Sequence, residues 1–311
     1  MIIKAPIDLE LTQNSGQTSQ PPWKLDNNIY SDVVVADNKA VLFQVKQKEN
    51  NLDFNFIGDI SNKEATKKIK AIFDLDFNLN KFYKYLNNQP ELADMTNFCR
   101  DLRLFLAKDK FECVISSVCS ANNSIVRWTK SIDDIKKSWG NKYTYSEKDY
   151  FTFPDVSDFK NIYCDDVEEF ECCSNLNNPG ECINNLKSCG VGYRAPYMKK
   201  ASEIFTLEMD LDDISKMSYD EAFDTMLKVP GVGPKVADCI LLYGFNFRQA
   251  FPTDVWIKCI VSYLYFDGKD INVSKIREFG MEEFGDYAGY VQLYLFHYAR
   301  MSGLMKKLKG M

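Results

Sequence analysis

A short stretch of the chain, KVPGVGPKVADCILL at residues 228–242, combines a tight turn with groups that could do chemistry. The proline of PGVG disfavours a helix interior and its glycines accept positive φ, so the spacing predicts that one helix ends near Lys228 and another begins near Pro234. Backbone N–H groups at such a helix N-terminus form a phosphate-binding site. For PGVG alone, a corner between two helices with no ligand is an equally good interpretation.

Two ionisable residues near this turn favour chemistry over a bare corner. Lys235 and Cys239 lie four residues apart, so they share one helix face. Lys235 falls in the first turn of its helix, where the dipole and partial burial both favour the neutral, nucleophilic amine. The alternative for Lys235 is a solvated surface lysine. Asp254 in FPTDVW precedes an apolar run and is predicted to cap a helix, which is compatible with a catalytic role.

The elements that must position these groups fall into two parts. The segments NKAVLFQVKQ and NLDFNFIGD alternate apolar and polar residues, which predicts antiparallel strands. From about residue 75 apolar residues recur three or four apart, which predicts helices to the C-terminus. The fold class is therefore α+β, with a small antiparallel β-sheet domain at 1–72 and a larger all-helical domain at 73–311 that contains a helix-hairpin-helix motif.

Bulk composition sets the broad class of the protein. The chain has 311 residues, of which 45% are hydrophobic, enough for two domains with buried cores. A net charge of −6 argues weakly against a nucleic-acid partner, although the tail ARMSGLMKKLKGM is locally basic. No run of eighteen apolar residues and no signal peptide is present, so we expect no membrane association and a cytoplasmic location, or a nuclear one in a eukaryote.

The turn, the lysine and FPTD together resemble the helix-hairpin-helix, Gly/Pro-Asp superfamily of DNA glycosylases, and within it the 8-oxoguanine DNA glycosylases. Further motifs stand in the order of that family: LDL…SGQ, VVADNKAVLFQ, CSANNSIVR, GVGYRAPY and YAGYVQLYLF. The resemblance implies a bifunctional glycosylase/AP lyase of base-excision repair. It implies double-stranded DNA containing 8-oxoguanine as the partner and no required cofactor. Nothing in the sequence suggests an oligomer interface, so we expect a monomer.

The resemblance assigns the two catalytic roles. Lys235 is the nucleophile that attacks C1′, expels the base and forms a Schiff base, from which β-elimination cleaves the strand. Asp254 stabilises the positive charge that develops on the sugar and assists proton transfers. An enzyme that works on C1′ must first flip the nucleotide out of the stack.

A pocket for the flipped base is implied by four residues. Gln292 and Phe296 lie four apart, so one helix face offers an amide and a ring, which in the family bind the Watson–Crick edge and stack on the base. The resemblance places Cys239 on the opposite side of the base. It also implies that the Gly16 carbonyl accepts from N7–H, which 8-oxoguanine has and guanine lacks. Read without the family, Phe296 and Cys239 are ordinary core residues and Gln292 a surface residue.

Four other residues are implied to act on the opposite strand. Asn122 fills the space left by the flipped nucleotide, Tyr193 wedges the stack, and Arg127 and Arg194 bind the unpaired cytosine. We therefore expect a preference for cytosine opposite the lesion. The alternative is that these arginines bind phosphates or form ion pairs.

The hairpin itself is implied to contact the DNA backbone. Gly231 and Gly233 would present the turn to a phosphate. The carbonyls of Leu227, Val229 and Val232 would hold a monovalent cation that bridges to that phosphate.

Two features depart from the family pattern, Trp256 and a cysteine-rich segment. Trp256 replaces a histidine that lies near the DNA backbone in related enzymes, which favours stacking there. The single histidine, His297, is predicted to be a packed residue. An insertion-like segment at 163–185 is rich in cysteine. Together with the following residues it contains Cys164, Cys172, Cys173, Cys182 and Cys189. Their spacings form no C-x₂-C pair, so we predict no zinc or iron–sulfur site.

Two other functions compete with excision of 8-oxoguanine. A non-enzymatic helix-hairpin-helix DNA-binding module would need the PGVG turn but neither Lys235 nor Asp254. A monofunctional glycosylase for other damaged bases would keep the aspartate without needing the lysine. Lys235 therefore favours lyase chemistry.

Overall fold

The structure is a computed structural model that describes residues 1–36, 38–164 and 184–304. An antiparallel five-stranded sheet in the order β1-β5-β4-β3-β2 forms the N-terminal part, which confirms the predicted sheet. Its strands are β1 (Ile2–Ile3), β2 (Lys24–Asp26), β3 (Ile29–Ala36), β4 (Lys39–Lys48) and β5 (Asn51–Ile57).

The predicted alternation in β4 and β5 is confirmed. Val41, Phe43 and Val45 are fully buried, and Val45 pairs with Phe54 across the ladder. Alternate side chains of a strand face opposite sides of the sheet, so these residues share the covered side. One side of the sheet thereby becomes the core of the N-terminal unit.

Helices make up most of the remaining chain, as predicted. The helices are α1 (Leu9–Asn14), α2 (Asn62–Ile72), α3 (Leu79–Asn87), α4 (Met95–Phe98), α5 (Lys110–Ser120), α6 (Ile125–Trp139), α7 (Val156–Phe159), α8 (Ala195–Leu207), α9 (Leu211–Ile214), α10 (Tyr219–Leu227), α11 (Pro234–Phe245), α12 (Val255–Tyr265), α13 (Val273–Phe284) and α14 (Ala288–Met301). None of these helices is long and apolar enough to cross a membrane.

A β hairpin within the helical region was missed by the sequence reading, which treated 73–311 as entirely helical. Its strands are β6 (Lys142–Tyr145) and β7 (Lys148–Phe151). The two residues between them, Ser146 and Glu147, have φ of +47° and +63°, as in the tight turns that suit a twisted hairpin. Tyr150 packs with Val33 and Leu42, so the hairpin covers part of the outer side of the sheet.

The core of the sheet extends beyond its strands. Helix α2 packs Ala65, Ile69 and Ile72 against it, and the same cluster takes in Phe73 and Phe105. The last of these lies in the segment that precedes α5. The sheet unit and the helical unit are therefore joined by shared packing as well as by the chain itself.

Buried polar contacts also fix the sheet unit to the helices. Arg248 Nη2 donates to Asp74 Oδ1 at 2.6 Å, and the Tyr290 hydroxyl donates to Asp74 Oδ2 at 2.8 Å. Arg103, only 1% exposed, donates to the backbone carbonyls of Asp74 at 2.6 Å and Pro6 at 2.6 Å. Through Asp74 and Arg103, these contacts connect α14 with the N-terminal segment at Pro6.

Candidate active site

The hairpin between α10 and α11 has the predicted ends. Helix α10 is capped by Lys228 and α11 begins at Pro234. The turn is closed by the Val232 N–H, which donates to the Val229 carbonyl at 3.0 Å. Gly231 has φ of +82°, and a Cβ there would lie 2.7 Å from the Tyr197 ring, so only glycine fits without strain. The turn is therefore held closely against α8.

Lys235 lies half-buried in the first turn of α11, one turn before Cys239. Among the described residues it has no carboxylate partner within ion-pairing distance. Cys239 is 3% exposed, and burial raises the pKa of its thiol, while the positive charge of Lys235 and a hydrogen bond with Thr18 lower it. The thiol is thus protonated at neutral pH, and the Lys235 amine, which also bonds this thiol, is the better nucleophile of the two.

Asp254 caps α12, as predicted. Its Oδ1 accepts from the Ile257 N–H at 2.9 Å, and the residue is half-buried. Burial lowers the pKa of the Arg300 guanidinium, and the nearby Asp254 carboxylate opposes that shift. The cap bond fixes one carboxylate oxygen and leaves the other outside it, so capping and a catalytic role are compatible.

Gln292 has an unused hydrogen-bond acceptor inside the protein. The residue is 5% exposed, and its Nε2 donates to the Pro252 carbonyl at 3.1 Å. Its Oε1 is buried and has no hydrogen-bond partner among the described residues. Since buried polar atoms are rarely left unpaired, Oε1 is a candidate acceptor for a ligand. The bond to Pro252 also ties α14 to the loop that carries Asp254.

Phe296 lies one turn beyond Gln292 in α14 and is half-buried. The Arg300 guanidinium lies over its ring, with the central carbon 5.2 Å from the ring centroid. Arg300 Nη1 also donates to the Ser15 carbonyl at 3.1 Å. The sequence analysis missed Arg300, because no local pattern connects residues so far apart in the chain.

Gly16 lies in a turn that is anchored on both sides. Its φ is +85°, which favours glycine. Arg300 holds the preceding carbonyl, and the following residue, Gln17, uses both ends of its amide. Gln17 Nε2 donates to the Arg103 carbonyl at 3.0 Å, and its Oε1 accepts from the Phe105 N–H at 2.8 Å. The turn therefore has little freedom to move.

These contacts bring the residues implied for the base pocket together. Thr18, two residues after Gly16, bonds the Cys239 thiol, which links the N-terminal turn to α11. Thr18 Oγ1 also lies 3.1 Å from Ser117 Oγ of α5. The resemblance implies that most of this set binds or acts on the flipped nucleotide, and we use the name base pocket for the set together with Arg300. Its members are Gly16, Lys235, Cys239, Asp254, Gln292, Phe296 and Arg300.

The residues implied for the opposite strand form a second group around the C-terminus of α5. Asn122, with φ of +50°, and Arg127 are exposed, and Tyr193 is 59% exposed. Arg194 differs, since it is only 7% exposed and donates through Nε to the Ala121 carbonyl at 2.8 Å and through Nη2 to the Asn122 carbonyl at 3.0 Å. In the protein without DNA, Arg194 therefore positions the Asn122 loop.

The remaining predicted features are located as follows. Trp256 is half-buried and packs on the helical core, and the His297 ring lies 5.7 Å from that of Phe98. Burial and the charge of Arg300 lower the pKa of His297, so it is neutral at pH 7. Of the three carbonyls suggested to bind a cation, the Val229 carbonyl accepts the hydrogen bond from the Val232 N–H that closes the turn.

Part of the cysteine-rich segment lies outside the described residues, including Cys172, Cys173 and Cys182. Cys164 is half-buried and Cys189 is buried. Within the ranges that the structure describes, no group of three or more histidine, cysteine, aspartate or glutamate residues could hold a metal ion.

Helix α11 also carries a buried ion pair that the sequence analysis did not identify. Arg277 Nε donates to Asp238 Oδ2 at 2.6 Å, and its Nη2 donates to Asp238 Oδ1 at 3.1 Å and to the Tyr219 hydroxyl at 2.6 Å. The Tyr219 hydroxyl also bonds Asp238, whose side chain is fully buried. This Asp238 network joins α10, α11 and α13, so it fixes the hairpin from behind the turn.

Comparisons with known proteins agree with this geometry. Residues 1–114 match the family model of the 8-oxoguanine DNA glycosylase N-terminal domain. Residues 115–285 match that of the HhH-GPD superfamily base excision DNA repair protein. A probable N-glycosylase/DNA lyase of Methanothermobacter thermautotrophicus is 44% identical over 97% of this chain and 96% of its own.

Two solved structures share the fold over nearly the whole chain. MBOgg1 in complex with a low-affinity DNA ligand superposes with a TM-score of 0.80 at 30% identity, covering 97% of this chain and 96% of its own. The Clostridium acetobutylicum 8-oxoguanine glycosylase/lyase, bound to double-stranded DNA with cytosine opposite 8-oxoguanine, gives 0.78 at 28% identity, covering 97% and 98%.

Proposed function

The chain belongs to the 8-oxoguanine DNA glycosylase family of the HhH-GPD superfamily, and from this premise we propose that it excises 8-oxoguanine opposite cytosine. It is a DNA glycosylase with AP lyase activity. The lesion, the opposite base and the covalent route are the proposal. The observation that carries it is the unpaired Gln292 Oε1, buried one helical turn from Phe296 and joined through Pro252 to the Asp254 loop.

Base recognition follows from that acceptor. The Watson–Crick edge of 8-oxoguanine carries N1–H and N2–H donors, which suit an unpaired amide oxygen. A ligand that pairs Oε1 removes the cost of a buried unsatisfied atom, which is about 1–3 kcal/mol. Phe296 and Cys239 supply the two sides of a slot for the flipped base, and the Gly16 carbonyl accepts from N7–H. Guanine has no hydrogen at N7, so it would place two acceptors against each other.

The covalent step uses the amine of Lys235. Its nitrogen lone pair forms a bond to C1′ while the C1′–N9 bond breaks, and the departing base takes that electron pair and gains a proton. Ring opening then yields a Schiff base between Lys235 and C1′. Loss of a C2′ proton expels the 3′ phosphate by β-elimination, and water releases the lysine. No cofactor is needed, because the chain supplies both nucleophile and counter-charge.

Asp254 supplies that counter-charge. Positive charge develops on the sugar as the glycosidic bond breaks, and a fixed carboxylate stabilises it without reorganising. The helix cap fixes this carboxylate, and the Gln292 bond to Pro252 fixes the loop before it. The same two contacts therefore hold the Gln292 amide and the Asp254 carboxylate at fixed positions relative to each other.

On the opposite strand, the proposal assigns the cytosine to Arg127, with Asn122 and Tyr193 occupying the disrupted stack. Arg127 is exposed in the first turn of α6, beside the loop that Arg194 holds. Arg194 donates to three backbone carbonyls and needs to give up bonds to them to reach a base, whereas Arg127 needs no such rearrangement. We therefore expect Arg127 to carry more of the opposite-base preference.

The protein acts as a monomer in this scheme, and a monovalent cation at Leu227, Val229 and Val232 bridges the hairpin to a phosphate.

The proposal is tested by single-turnover base release from duplexes with 8-oxoguanine opposite each of the four bases. We expect the fastest release opposite cytosine, by about tenfold or more, because a good bidentate contact discriminates by roughly 1–3 kcal/mol. Arg127→Gln should slow release opposite cytosine and narrow the difference among the four duplexes. Equal rates on all four would refute the cytosine preference. Cleavage of an abasic duplex without release of 8-oxoguanine would refute the lesion assignment.

A further inference from the structure

We propose that Arg300 is a positioning residue for recognition of the damaged base. Its side chain joins the two walls of the base pocket that come from opposite ends of the chain. Nη1 donates to the Ser15 carbonyl at 3.1 Å, and the guanidinium lies 5.2 Å from the centroid of the Phe296 ring. The inference rests on the proposed function, since it concerns how the 8-oxoguanine pocket is held.

The contact with Ser15 fixes the peptide that leads into Gly16. The Ser15 carbonyl and the Gly16 N–H belong to one planar peptide group. A hydrogen bond to the carbonyl oxygen therefore fixes the orientation of this peptide group, relative to which the Gly16 φ of +85° is measured. A Cβ built on Gly16 would lie 3.2 Å from Arg300 Nη1, so the guanidinium is packed against this turn. The Gln17 bonds to the backbone of Arg103 and Phe105 fix the other side. Losing Arg300 would therefore free the Ser15 carbonyl, while the Ser15 hydroxyl stays bonded to Thr12 and Gln17.

The contact with Phe296 fixes the stacking wall. A planar guanidinium packs well on an aromatic face, and it is less strongly hydrated than an ammonium. The two residues are one helical turn apart in α14, so the same side chain reaches from the ring to the N-terminal turn. One residue thus couples the position of the ring to that of the Gly16 carbonyl.

The electrostatic setting of Arg300 supports a role in the pocket over an ordinary ion pair. The residue is half-buried, and it has no carboxylate within ion-pairing distance among the described residues. Of its five N–H donors, only Nη1 has a hydrogen-bond acceptor within the part of the chain that the structure describes. Burial lowers the pKa of the guanidinium, and the charge of Asp254 opposes this shift.

This placement separates base reading from sugar chemistry. An abasic site has no base to stack on Phe296 or to bond the Gly16 carbonyl, so its cleavage by Lys235 does not use the walls that Arg300 holds. A residue needed only for folding would affect both reactions equally. A residue that positions the base-reading walls affects excision alone.

The test compares Arg300→Met and Arg300→Lys with the wild type and with Arg100→Met, an exposed arginine outside the pocket. Each protein is assayed on a duplex with 8-oxoguanine opposite cytosine and on the same duplex with an abasic site. We expect Arg300→Met to lose about 10- to 100-fold in 8-oxoguanine excision, because a charge-assisted bond is lost. Abasic cleavage should stay within about threefold of the wild type. Arg300→Lys should recover part of the excision, and Arg100→Met should match the wild type.

Each contrary outcome has a distinct meaning. Equal losses on both duplexes, with or without a lower melting temperature, would overturn the inference in favour of a structural or general catalytic role. Full excision by Arg300→Met would overturn it as well. If the wild type cleaves the abasic duplex but releases no 8-oxoguanine, the proposed function fails, and this inference fails with it. If the wild type excises 8-oxoguanine and Arg300→Met keeps the wild-type ratio of excision to abasic cleavage, only the inference is refuted.

Discussion

Two polar clusters share helix α11, and they treat their ionisable groups in opposite ways. In the Asp238 network the carboxylate is fully buried and every partner is satisfied, with Arg277 Nε at 2.6 Å. In the base pocket Lys235 has no carboxylate partner among the described residues, and Gln292 Oε1 has no donor. The two clusters also differ in burial, since Asp238 is fully buried whereas Lys235 and Asp254 are half-buried.

The difference shows which polar groups hold the fold and which are available for chemistry. A buried charge that is matched by its partners fixes elements to each other, and its removal leaves an uncompensated charge. A buried polar group that the protein leaves unmatched is instead available to a ligand. Substitutions in the two clusters should therefore separate stability from activity.

The largest effect on folding is expected from the Asp238 network. Asp238→Ala leaves Arg277 and the Tyr219 hydroxyl without their acceptor, so the free energy of unfolding should fall by about 3–5 kcal/mol. Urea denaturation measures this change. At a temperature where the variant is folded, its abasic-cleavage rate should stay near that of the wild type. Asp213→Ala is the matched control, because its ion pair with Lys216 at 2.7 Å is exposed and should leave the urea midpoint unchanged.

If Asp238→Ala instead abolished cleavage while the protein stayed folded, the division between the two clusters would be wrong. A cleavage rate that falls only in proportion to the fraction of folded protein would support this division.

In the base pocket the reverse result is expected for Asp254→Asn. Asparagine is as good a helix cap as aspartate, so the melting temperature should hardly change. The negative charge is lost, so the rate of base excision should fall by about 10²- to 10³-fold. Single-turnover kinetics and a melting curve on the same preparation test both halves. A large drop in melting temperature would mean that Asp254 acts mainly as a structural cap.

Asp254 and Asp238, the residues changed in these two predictions, also show which features can be predicted from the sequence. The cap at Asp254, the helix ends at Lys228 and Pro234, and the alternation in β4 follow from neighbouring residues, so they could be predicted. The partnership of Asp238 with Arg277 spans 39 positions and that of Ser15 with Arg300 spans 285. Such pairs depend on how the helices pack, and no local pattern predicts them.

The hairpin turn should give a smaller effect, on binding. Gly231→Ala places a side chain at φ of +82°, which costs about 1–2 kcal/mol, and sets its Cβ 2.7 Å from the Tyr197 ring. We expect about 5- to 10-fold weaker binding to a duplex with an abasic-site analogue, measured by fluorescence anisotropy. Gly233→Ala is the matched control, because a Cβ there meets nothing within 4 Å and its φ is −92°. Equal weakening by both substitutions would show that strain at Gly231 is not the cause.

The smallest effect concerns the thiol wall of the pocket. Burial raises the pKa of Cys239, so at neutral pH the reactive thiolate is scarce and alkylation by iodoacetamide should be slow. Because the pKa is raised, modification should accelerate as the pH rises through the alkaline range. Half-buried Cys259 serves as the internal comparison in a mass-spectrometric time course. Modification of Cys239 before Cys259 at pH 7 would contradict a buried, protonated thiol.

The β6–β7 hairpin shows a second limit of sequence reasoning. Each strand has only four residues, and only β6, with the sequence KYTY, alternates polar and aromatic residues, so the signal is too short to stand out among helical patterns. Its position depends on Tyr150 meeting Val33 and Leu42 of the sheet. The base pocket shows the same limit, since the roles of its members came from the family resemblance and their mutual contacts from the fold.

The central claim is that the amine of Lys235 forms the covalent bond to the damaged nucleotide. Borohydride trapping on a duplex with 8-oxoguanine opposite cytosine tests it directly, with Lys258→Gln as the matched control because Lys258 is paired with Asp270 at 2.6 Å. We predict a trapped complex for the wild type and Lys258→Gln, none for Lys235→Gln, and an adduct mapped to Lys235 by mass spectrometry. Undiminished trapping by Lys235→Gln, or an adduct on another residue, would contradict it.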